Sequence, residues 1–332
     1  MSIESLGATQ AGDARQACAR AVLMIRPAGF DYNPETALTN KMQQTPKDGR
    51  ETSAAIQSAA LAEFDRMAAA LRSEGIEVCT VADTPTPPKP DAIFPNNWVS
   101  FHQDGTVVLY PMQCVSRRPE RRDEVVEAVC QELGFVRSRT VDLRHHEEHG
   151  RFLEGTGSLV LDHCNRLAYA CVSPRTHPEL VREWAHELGY TPVIFEASDR
   201  NGVPYYHTNV MMCVGSRMAI LGTCAMSEVD RARVIEKLEI GGLDVIEISY
   251  EEIEQFAGNM LELASWDEAL GDYRLLVMSD VARKALRPEC FGRLSAAVDG
   301  VLAVPVPTIE RVAGGSVRCM MAEVFLPSLK AR

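Results

Sequence analysis

The chain has 332 residues, is 46% hydrophobic and carries a formal net charge of -12 at pH 7. This length suffices to bury one large hydrophobic core or two medium ones. The acidic balance, without a dense block of Lys and Arg, argues against nucleic acid and membranes as partners, so small molecules are the expected ligands.

Ten cysteines are spread along the chain without a CxxC pair. Their spacing therefore predicts neither a zinc site nor a compact disulfide framework. The N-terminus lacks the pattern of a signal peptide, and no apolar run is long enough to span a membrane. We expect a cytoplasmic protein whose thiols are free and mostly buried.

The predicted elements begin after a polar segment at residues 1–17, which is typical of a flexible tail. Residues 20–26 predict a buried strand. Residues 27–50 carry Pro, Asn, Gly and charges without periodicity, as in a loop that covers a binding site. Helical spacing of apolar residues predicts a helix at 53–74, and a strand follows at 76–81.

Next, a strand–strand–helix–strand unit recurs with a period of roughly 45 to 60 residues. The predicted strands lie near 92–101, 105–111, 135–142, 157–162, 166–172, 191–196, 207–213, 217–221, 244–248, 259–264, 272–278, 300–305 and 317–326. The predicted helices lie near 119–133, 177–188, 227–238 and 280–298. Such self-similarity predicts an α/β radial array, and without a Pro/Ser/Gly-rich linker we expect one domain over residues 18–332.

Three residues suit nucleophilic and acid–base chemistry. Cys319 follows the glycine pair of GGSVRC (314–319), His207 begins an apolar strand, and Glu154 lies between an apolar pair and two glycines. A thiol can act as a nucleophile and an imidazole as a general acid/base, and buried carboxylates are often functional. Each alone is also typical of a structural residue: a buried thiol, a core histidine or an acid in a turn.

Four further residues could bind a small molecule. Asp91 and Asn97 lie in DAIFPNNW (91–98), and Asn97 offers both a donor and an acceptor. Arg117 and Arg175 follow predicted strands, where a guanidinium can hold a carboxylate by two hydrogen bonds. Taken singly, these residues also fit ordinary turns or a solvated helix start.

The segment HHEEH (145–149) matches the HxxEH pattern that binds zinc in some metalloproteases. That function requires the segment to lie on a helix. Here no amphipathic pattern surrounds it and Gly150 follows directly. We therefore predict a charged loop and no metal site.

Six segments resemble a known superfamily and occur in its order: IRPAGFDYNPETALTNKMQ (25–43), DAIFPNNW (91–98), FLEGTGSLVLD (152–162), YHTNVMM (206–212), GNMLEL (258–263) and GGSVRCMMAEV (314–324). Together they resemble the guanidino-group modifying superfamily, which includes arginine deiminase, dimethylarginine dimethylaminohydrolase, amidinotransferase and succinylarginine dihydrolase. Within it, the chain is most similar to the citrulline utilization hydrolases, or citrulline ureidases. The resemblance implies a five-bladed, pseudo-symmetric α/β propeller (a pentein) of ββαβ units, with its active site at the central axis.

The resemblance also implies roles for the candidate residues. Cys319 corresponds to the nucleophile, His207 to the general acid/base, and Glu154 to the carboxylate of the Glu-Gly-Gly-Asp segment. This chain has Glu-Gly-Thr-Gly there, so the final Asp of the segment is absent. Arg117 and Arg175 resemble the two arginines that hold the substrate carboxylate in the dimethylarginine enzymes.

Two other departures concern the substrate. Asn97 and Asn209 stand where arginine deiminase has aspartates. A buried carboxylate beside a neutral ligand would be an unpaired charge, which is costly, whereas an amide matches the C=O and NH₂ of a ureido group. The two asparagines therefore favour a neutral substrate. Dihydrolases of arginine derivatives also use an Asn in this neighbourhood, so the guanidino alternative stays open.

The expected function is therefore hydrolysis of L-citrulline to ornithine, CO₂ and ammonia through an S-carbamoyl intermediate on Cys319. Asp91, Asn97 and Glu154 would orient the ureido group, and no metal or organic cofactor is required. Alternatives are an arginine deiminase or arginine dihydrolase, an amidinotransferase and a silent ligand-binding propeller. The expected partner is an amino-acid substrate, and the oligomeric state, including a homo-oligomer, stays open.

Overall fold

The computed structural model describes residues 18–45, 52–267 and 271–325. The predicted tail at residues 1–17 and residues 46–50 of the predicted loop lie outside these ranges. Within the described part of the chain, no helix is both long and apolar enough to cross a membrane. All ten cysteines are free thiols and seven of them are buried, in agreement with the sequence-based expectation.

The described residues form strands and helices in alternation. The strands are β1 (Ala21–Arg26), β2 (Glu77–Ala82), β3 (Val99–Phe101), β4 (Thr106–Leu109), β5 (Arg139–Asp142), β6 (Val160–Asp162), β7 (Leu167–Cys171), β8 (Thr191–Phe195), β9 (Met212–Val214), β10 (Met218–Leu221), β11 (Asp244–Glu247), β12 (Leu261–Asp267), β13 (Gly271–Ser279), β14 (Gly300–Val304) and β15 (Ala322–Val324). The helices are α1 (Ser53–Ser73), α2 (Asp123–Leu133), α3 (Gly155–Ser158), α4 (Pro178–Leu188), α5 (Glu228–Ile240), α6 (Tyr250–Glu254), α7 (Asp280–Ala285), α8 (Pro288–Ala297) and α9 (Pro307–Ala313).

The described strands pair as five three-stranded units with one common pattern. In each unit the middle strand runs antiparallel to one neighbour and parallel to the other, as β4 does with β3 and β5. The same holds for β7, β10, β13 and β1. The unit around β1 joins the two ends of the chain, because its antiparallel neighbour is β15. Pairing of β15 with β3 merges two units into the mixed sheet β2-β1-β15-β3-β4-β5.

Helices connect the parallel strands of each unit, since a parallel pair needs a crossover that leaves the sheet. Helix α1 shows why these segments are helical. Thr52 caps it by accepting a hydrogen bond from the Ala55 N–H, and Ile56, Phe64 and Met67 are buried on one face. The hydrophobic residues that predicted the helix are therefore those that pack it onto the sheet.

Four predicted strands begin too early, and these predictions are wrong at their N-terminal ends. The segments 92–98, 157–159, 207–211 and 317–321 are not strands. Helical turns precede the strands instead, as shown by the N–H groups of Trp98, Met211 and Cys319, which donate to carbonyls three residues earlier at 3.1, 3.1 and 3.0 Å. These turns are buried and lead directly into apolar strands, so the sequence pattern did not show where each strand begins.

Candidate active site

The turns before the first strands of the units meet at one place in the molecule. Asn97, Gly157, Asn209, Asn259 and Cys319 lie in these turns, each two or three residues before its strand. The amide nitrogens of Asn209 and Asn259 lie 3.6 and 3.3 Å from the Cys319 sulfur. Cys319 therefore lies in a turn and not at the beginning of a strand, which corrects the sequence-based placement.

A cavity adjoins this cluster. Six of the predicted site residues line it: Cys319, His207, Asp91, Asn97, Arg117 and Arg175. The other two predicted residues contact this lining, since Glu154 bonds His207 and Asn209 bonds Cys319. The structure thus brings together residues from all parts of the chain, and all eight predicted positions are at or beside one cavity.

Sequence reasoning did not single out several residues of this site. Thr36, Asn40, Phe94, Tyr206, Ala313 and Gly315 also line the cavity, and Asn259 contacts the thiol. Most of them belong to the segments that carried the family resemblance, which was the available signal. Individually they have neutral side chains without a titratable role near neutral pH, so nothing in their composition marked them.

His207 and Glu154 form a buried pair. Glu154 Oε2 lies 2.8 Å from His207 Nε2, and Glu154 Oε1 accepts the Gln113 N–H at 3.0 Å. Burial by itself raises the pKa of Glu154, but the Arg175 guanidinium and the His207 hydrogen bond outweigh it and lower that pKa to about 2. Burial lowers the pKa of His207 to about 4 although Glu154 opposes this effect. Near neutral pH the pair is an ionised carboxylate and a neutral imidazole.

This pairing defines which imidazole nitrogen can accept a proton. A carboxylate only accepts hydrogen bonds, so the neutral His207 ring carries its proton on Nε2 and donates it to Glu154. His207 Nδ1 is then the unprotonated, basic nitrogen. Gly157 lies against it: a Cβ at residue 157 would be 2.7 Å from His207 Nδ1 and 2.4 Å from Asn97 Nδ2.

Arg117 is buried in a network that orients Asn97. Its guanidinium donates two hydrogen bonds to Glu120, at 2.9 and 2.8 Å, and its Nη1 donates to Asn97 Oδ1 at 2.8 Å. Burial raises the pKa of Glu120 to about 7, against the effect of Arg117. Asn97 Oδ1 faces the Arg117 guanidinium, so the amide nitrogen Nδ2 must point elsewhere. Among the described residues this NH₂ group has no hydrogen-bond partner.

Arg175 connects the His207–Glu154 pair to the loop at residues 27–45. Its Nη1 lies 3.5 Å from Glu154 Oε2, while its Nη2 donates to the Thr36 carbonyl at 2.9 Å and to Thr39 Oγ1 at 2.7 Å. Its guanidinium also lies over the Tyr206 ring, 5.0 Å from the centroid. Arg175 is therefore held in place from several sides, with its Nη1 directed at Glu154.

The described part of the predicted covering loop is in contact with the cavity. Asp91 Oδ2 accepts hydrogen bonds from Asn33 Nδ2 at 2.7 Å and Thr36 Oγ1 at 3.1 Å. Asn40 Nδ2 donates to the carbonyls of Ala313 and Gly314 at 3.0 and 3.3 Å. The loop thus contributes Thr36 and Asn40 to the lining of the cavity and is bonded to two other segments of the chain.

The HHEEH segment forms a 3-10 helical turn at Arg144–His149 and not an α-helix. Ligand atoms of His145, His146 and Glu183 lie within 4.8 Å of one another, close enough to hold a metal ion. The His146 Nε2–Glu183 Oε1 distance is 3.1 Å. None of these three residues lines the cavity of Cys319, so the segment is a charged turn outside the candidate active site.

Comparison with known proteins identifies relatives of this fold. The family described as N,N dimethylarginine dimethylhydrolase, eukaryotic, matches residues 26–326. No curated protein matches the chain in sequence.

Among solved structures, ArgZ, an arginine dihydrolase from the ornithine-ammonia cycle in Cyanobacteria, is 19% identical with a TM-score of 0.69 over 93% of this chain and 41% of that chain. The chain thus spans less than half of ArgZ. A structure of the N-terminal domain of ArgZ bound to substrate is 19% identical to this chain with a TM-score of 0.68. That match covers 92% of this chain and 99% of the ArgZ domain.

A dimethylarginine dimethylaminohydrolase adduct with S-methyl-L-thiocitrulline is 15% identical, with a TM-score of 0.61 over 92% of this chain and 99% of that chain. At such identities the structural likeness shows the α/β fold alone. The family match spans most of the chain. The chain therefore belongs to the eukaryotic N,N dimethylarginine dimethylhydrolase family, within the guanidino-group modifying superfamily.

Proposed function

We propose that this protein is a hydrolase that uses Cys319 to attack the guanidino carbon of an arginine-type amino acid. One observation carries the proposal: a thiol, an imidazole and two guanidinium groups line a single cavity, with a buried carboxylate bonded to the imidazole. The family match and the similarity to an arginine dihydrolase support a guanidino substrate. A citrulline-specific enzyme, the expectation from sequence, has less support from these relatives.

The charges at the cavity also favour a cationic group. Arg117 is paired with Glu120, and Arg175 with Glu154. Asp91, in contrast, accepts its hydrogen bonds from the neutral side chains of Asn33 and Thr36. A substrate guanidinium would therefore meet a buried carboxyl group whose described side-chain hydrogen bonds come from neutral partners.

In the proposed mechanism, Arg117 and Arg175 hold the α-carboxylate of the substrate. The Nη1 of each arginine carries two hydrogens, and the described contacts are one bond from Arg117 to Asn97 and one from Arg175 to Glu154. The second hydrogen of each Nη1 can bind a carboxylate oxygen. Since both arginines are buried and held by other bonds, they can bind the carboxylate without much loss of conformational freedom.

His207 would carry the protons of the reaction. As the Cys319 sulfur attacks the guanidino carbon, His207 Nδ1 accepts the thiol proton and then gives it to the departing ammonia. This leaves an amidino group on the sulfur. His207 next takes a proton from water, whose oxygen attacks the same carbon. The C–S bond then breaks, so that the ureido product forms and Cys319 leaves as a thiolate, which takes back the proton from His207.

The amides of Asn97 and Asn209 suggest that hydrolysis proceeds further. A carboxylate in either place would favour the guanidinium but oppose the neutral ureido group formed from it, whereas a carboxamide tolerates both. We infer a second hydrolysis, so that arginine and two water molecules yield ornithine, CO₂ and two ammonia molecules. The Asn97 NH₂ group, to which no other described residue bonds, can donate to the ureido oxygen, so hydrolysis of citrulline alone is the second candidate.

A substrate panel tests this proposal. L-arginine, N,N-dimethylarginine and L-citrulline would each be incubated with the enzyme, and ammonia, dimethylamine, citrulline and ornithine would be quantified. Arginine giving ornithine with two equivalents of ammonia is the expected result. Arginine giving only citrulline indicates a deiminase, dimethylamine release indicates a dimethylaminohydrolase, and turnover of citrulline but not arginine supports the second candidate. Turnover in water without an acceptor amine would count against an amidinotransferase.

Two variants test the chemistry itself. Cys319→Ala and His207→Ala should be folded and should each abolish ammonia release, because the reaction needs the nucleophile and the proton carrier. Circular dichroism would check the fold. Ammonia release near the parent rate by either variant would refute the mechanism.

The remaining sequence-based expectations also stay proposals. Five units of one strand order support a five-bladed α/β propeller formed by a single domain over residues 18–332. We propose a cytoplasmic enzyme with a small amino-acid substrate that needs no cofactor, because the thiol and the imidazole together supply the nucleophile and the acid/base. Size-exclusion chromatography with light scattering would determine whether it forms a homo-oligomer.

A further inference from the structure

Asn259 is a buried residue that contacts the thiol of Cys319 from another unit of the fold. It lies two residues before β12 and is only 1% exposed. Its Nδ2 is 3.3 Å from the Cys319 sulfur and 2.9 Å from the Asn209 carbonyl oxygen. Its Oδ1 accepts the Arg318 N–H at 3.1 Å.

These contacts determine the orientation of the Asn259 amide. The Arg318 N–H requires an acceptor, and the Asn209 carbonyl requires a donor. Turning the amide over would place two donors against each other at Arg318 and two acceptors against each other at Asn209. The NH₂ group of Asn259 must therefore face the Cys319 sulfur, with one hydrogen on the Asn209 carbonyl and the other directed at the thiol.

We infer that Asn259 is a further catalytic residue, which stabilises the Cys319 thiolate formed when His207 removes the thiol proton. This inference rests on the proposed function. An N–H group directed at sulfur interacts more strongly with a thiolate than with a thiol, because hydrogen bonds to ionised partners are the stronger ones. Asn209 Nδ2, at 3.6 Å, adds a second and longer contact.

The surroundings of the thiol explain why such donors are needed. His207 is a neutral imidazole near neutral pH because burial lowers its pKa to about 4, so it does not supply a standing positive charge. The described hydrogen bonds to the Cys319 sulfur come from the two carboxamides. Fixed dipoles in a buried site stabilise developing charge without reorganisation, as oxyanion holes do for oxygen.

The test is the variant Asn259→Asp, which has the same shape. It keeps an oxygen for the Arg318 N–H but places a second oxygen, in place of the NH₂ group, against the sulfur. Asn201→Asp, an identical change at an exposed loop position, is the matched control. Reaction of Cys319 with iodoacetamide would be followed across pH, without substrate, by mass spectrometry of the peptide containing it.

In Asn259→Asp, Cys319 should be alkylated at least about tenfold more slowly at pH 7 than in the parent. The pH at which its alkylation rate is half-maximal should be higher by about one unit or more, given the usual strength of charge-assisted hydrogen bonds. Asn201→Asp should match the parent. If Asn259→Asp does not fold, Asn259→Ser, whose shorter hydroxyl lies farther from the sulfur, carries the same expectation.

An alkylation profile like that of the parent in a folded Asn259 variant would overturn the inference. A purely structural role would reduce turnover but leave the pH profile of alkylation in place, and this too would overturn it. Because alkylation needs no substrate, the outcome is separate from the panel above. If none of the panel substrates is turned over but the alkylation profile of Asn259→Asp is shifted, the proposed function is refuted and the inference about Asn259 stands.

Discussion

Gly157 offers a sharp test of the site geometry, because the change to alanine is minimal and acts directly on two active-site groups. A methyl group at residue 157 would lie 2.4 Å from Asn97 Nδ2, and 2.7 and 2.8 Å from His207 Nδ1 and Cε1. The backbone of Gly157 is not in the left-handed region, so alanine is conformationally allowed there. The effect of Gly157→Ala should therefore come from the contacts of the methyl group.

The size of that effect follows from the distances. Since ordinary contacts of a methyl group begin near 3.4 Å, the His207 ring and the Asn97 amide must move by about 0.7 to 1 Å. Neither can move freely, because Glu154 holds His207 at 2.8 Å and Arg117 holds Asn97 at 2.8 Å. A misplacement of about 1 Å can reduce the rate about 100-fold, so we expect kcat to fall by about that factor.

The assay is steady-state ammonia release with the best substrate of the panel, together with thermal unfolding. Gly292→Ala is the matched control, because Gly292 lies within α8 and a methyl group there would meet no described atom beyond its own stretch of helix within 4 Å. The control should keep the parent kcat and gain slightly in stability, as alanine favours a helix over glycine. Parent-like kcat in Gly157→Ala would refute the described arrangement of His207 and Asn97.

Three further predictions concern charge and protonation. Glu154→Gln should lower kcat about 10- to 100-fold, because a charge-assisted hydrogen bond to His207 is lost. The same change should move the acid limb of the kcat/KM pH profile to lower pH, because Glu154 raises the pKa of His207. Arg175→Lys should raise KM for arginine but change KM little for its decarboxylated analogue, which has no carboxylate to bind; an equal rise for both would contradict this role. Between pH 6.5 and 4, His207 should lower the free energy of unfolding by about 3 kcal/mol, because the unfolded chain binds that proton first. Urea titrations should therefore show a fall that is larger by this amount in the parent than in His207→Gln, while the lowered pKa values of the buried His102 and His163 contribute to both proteins.

Much of the fold could be predicted from hydrophobic patterning. Apolar residues at helical spacing located helices like α1, and the recurring strand–strand–helix–strand order matches the five observed units. The errors lie at the turns before the strands, including that of Cys319. These turns are buried and continue directly into the apolar strands, so the boundary between turn and strand is not visible in the hydrophobic pattern.

The candidate site was predictable as a set of residues but not as an arrangement. The chemical types of Cys319, His207 and Glu154, and the family order of their segments, are properties of the sequence. The substrate expectation derived from Asn97 and Asn209 proved less well supported than the guanidino alternative. Carboxamides accommodate both a guanidinium and the ureido group formed from it, so their presence alone does not select between the substrates.

By itself, the sequence determined which chemical groups are available and which segments form helices and strands, because both depend on residue type and on neighbours along the chain. Only the tertiary structure decided the state of those groups. The bond from His207 to Glu154 joins residues 53 positions apart, and that from Asn259 to Cys319 spans 60 positions. Burial and partners supplied by distant segments determine the protonation of His207 and the orientation of the Asn259 amide, and these arise only when the turns of the separate units pack together.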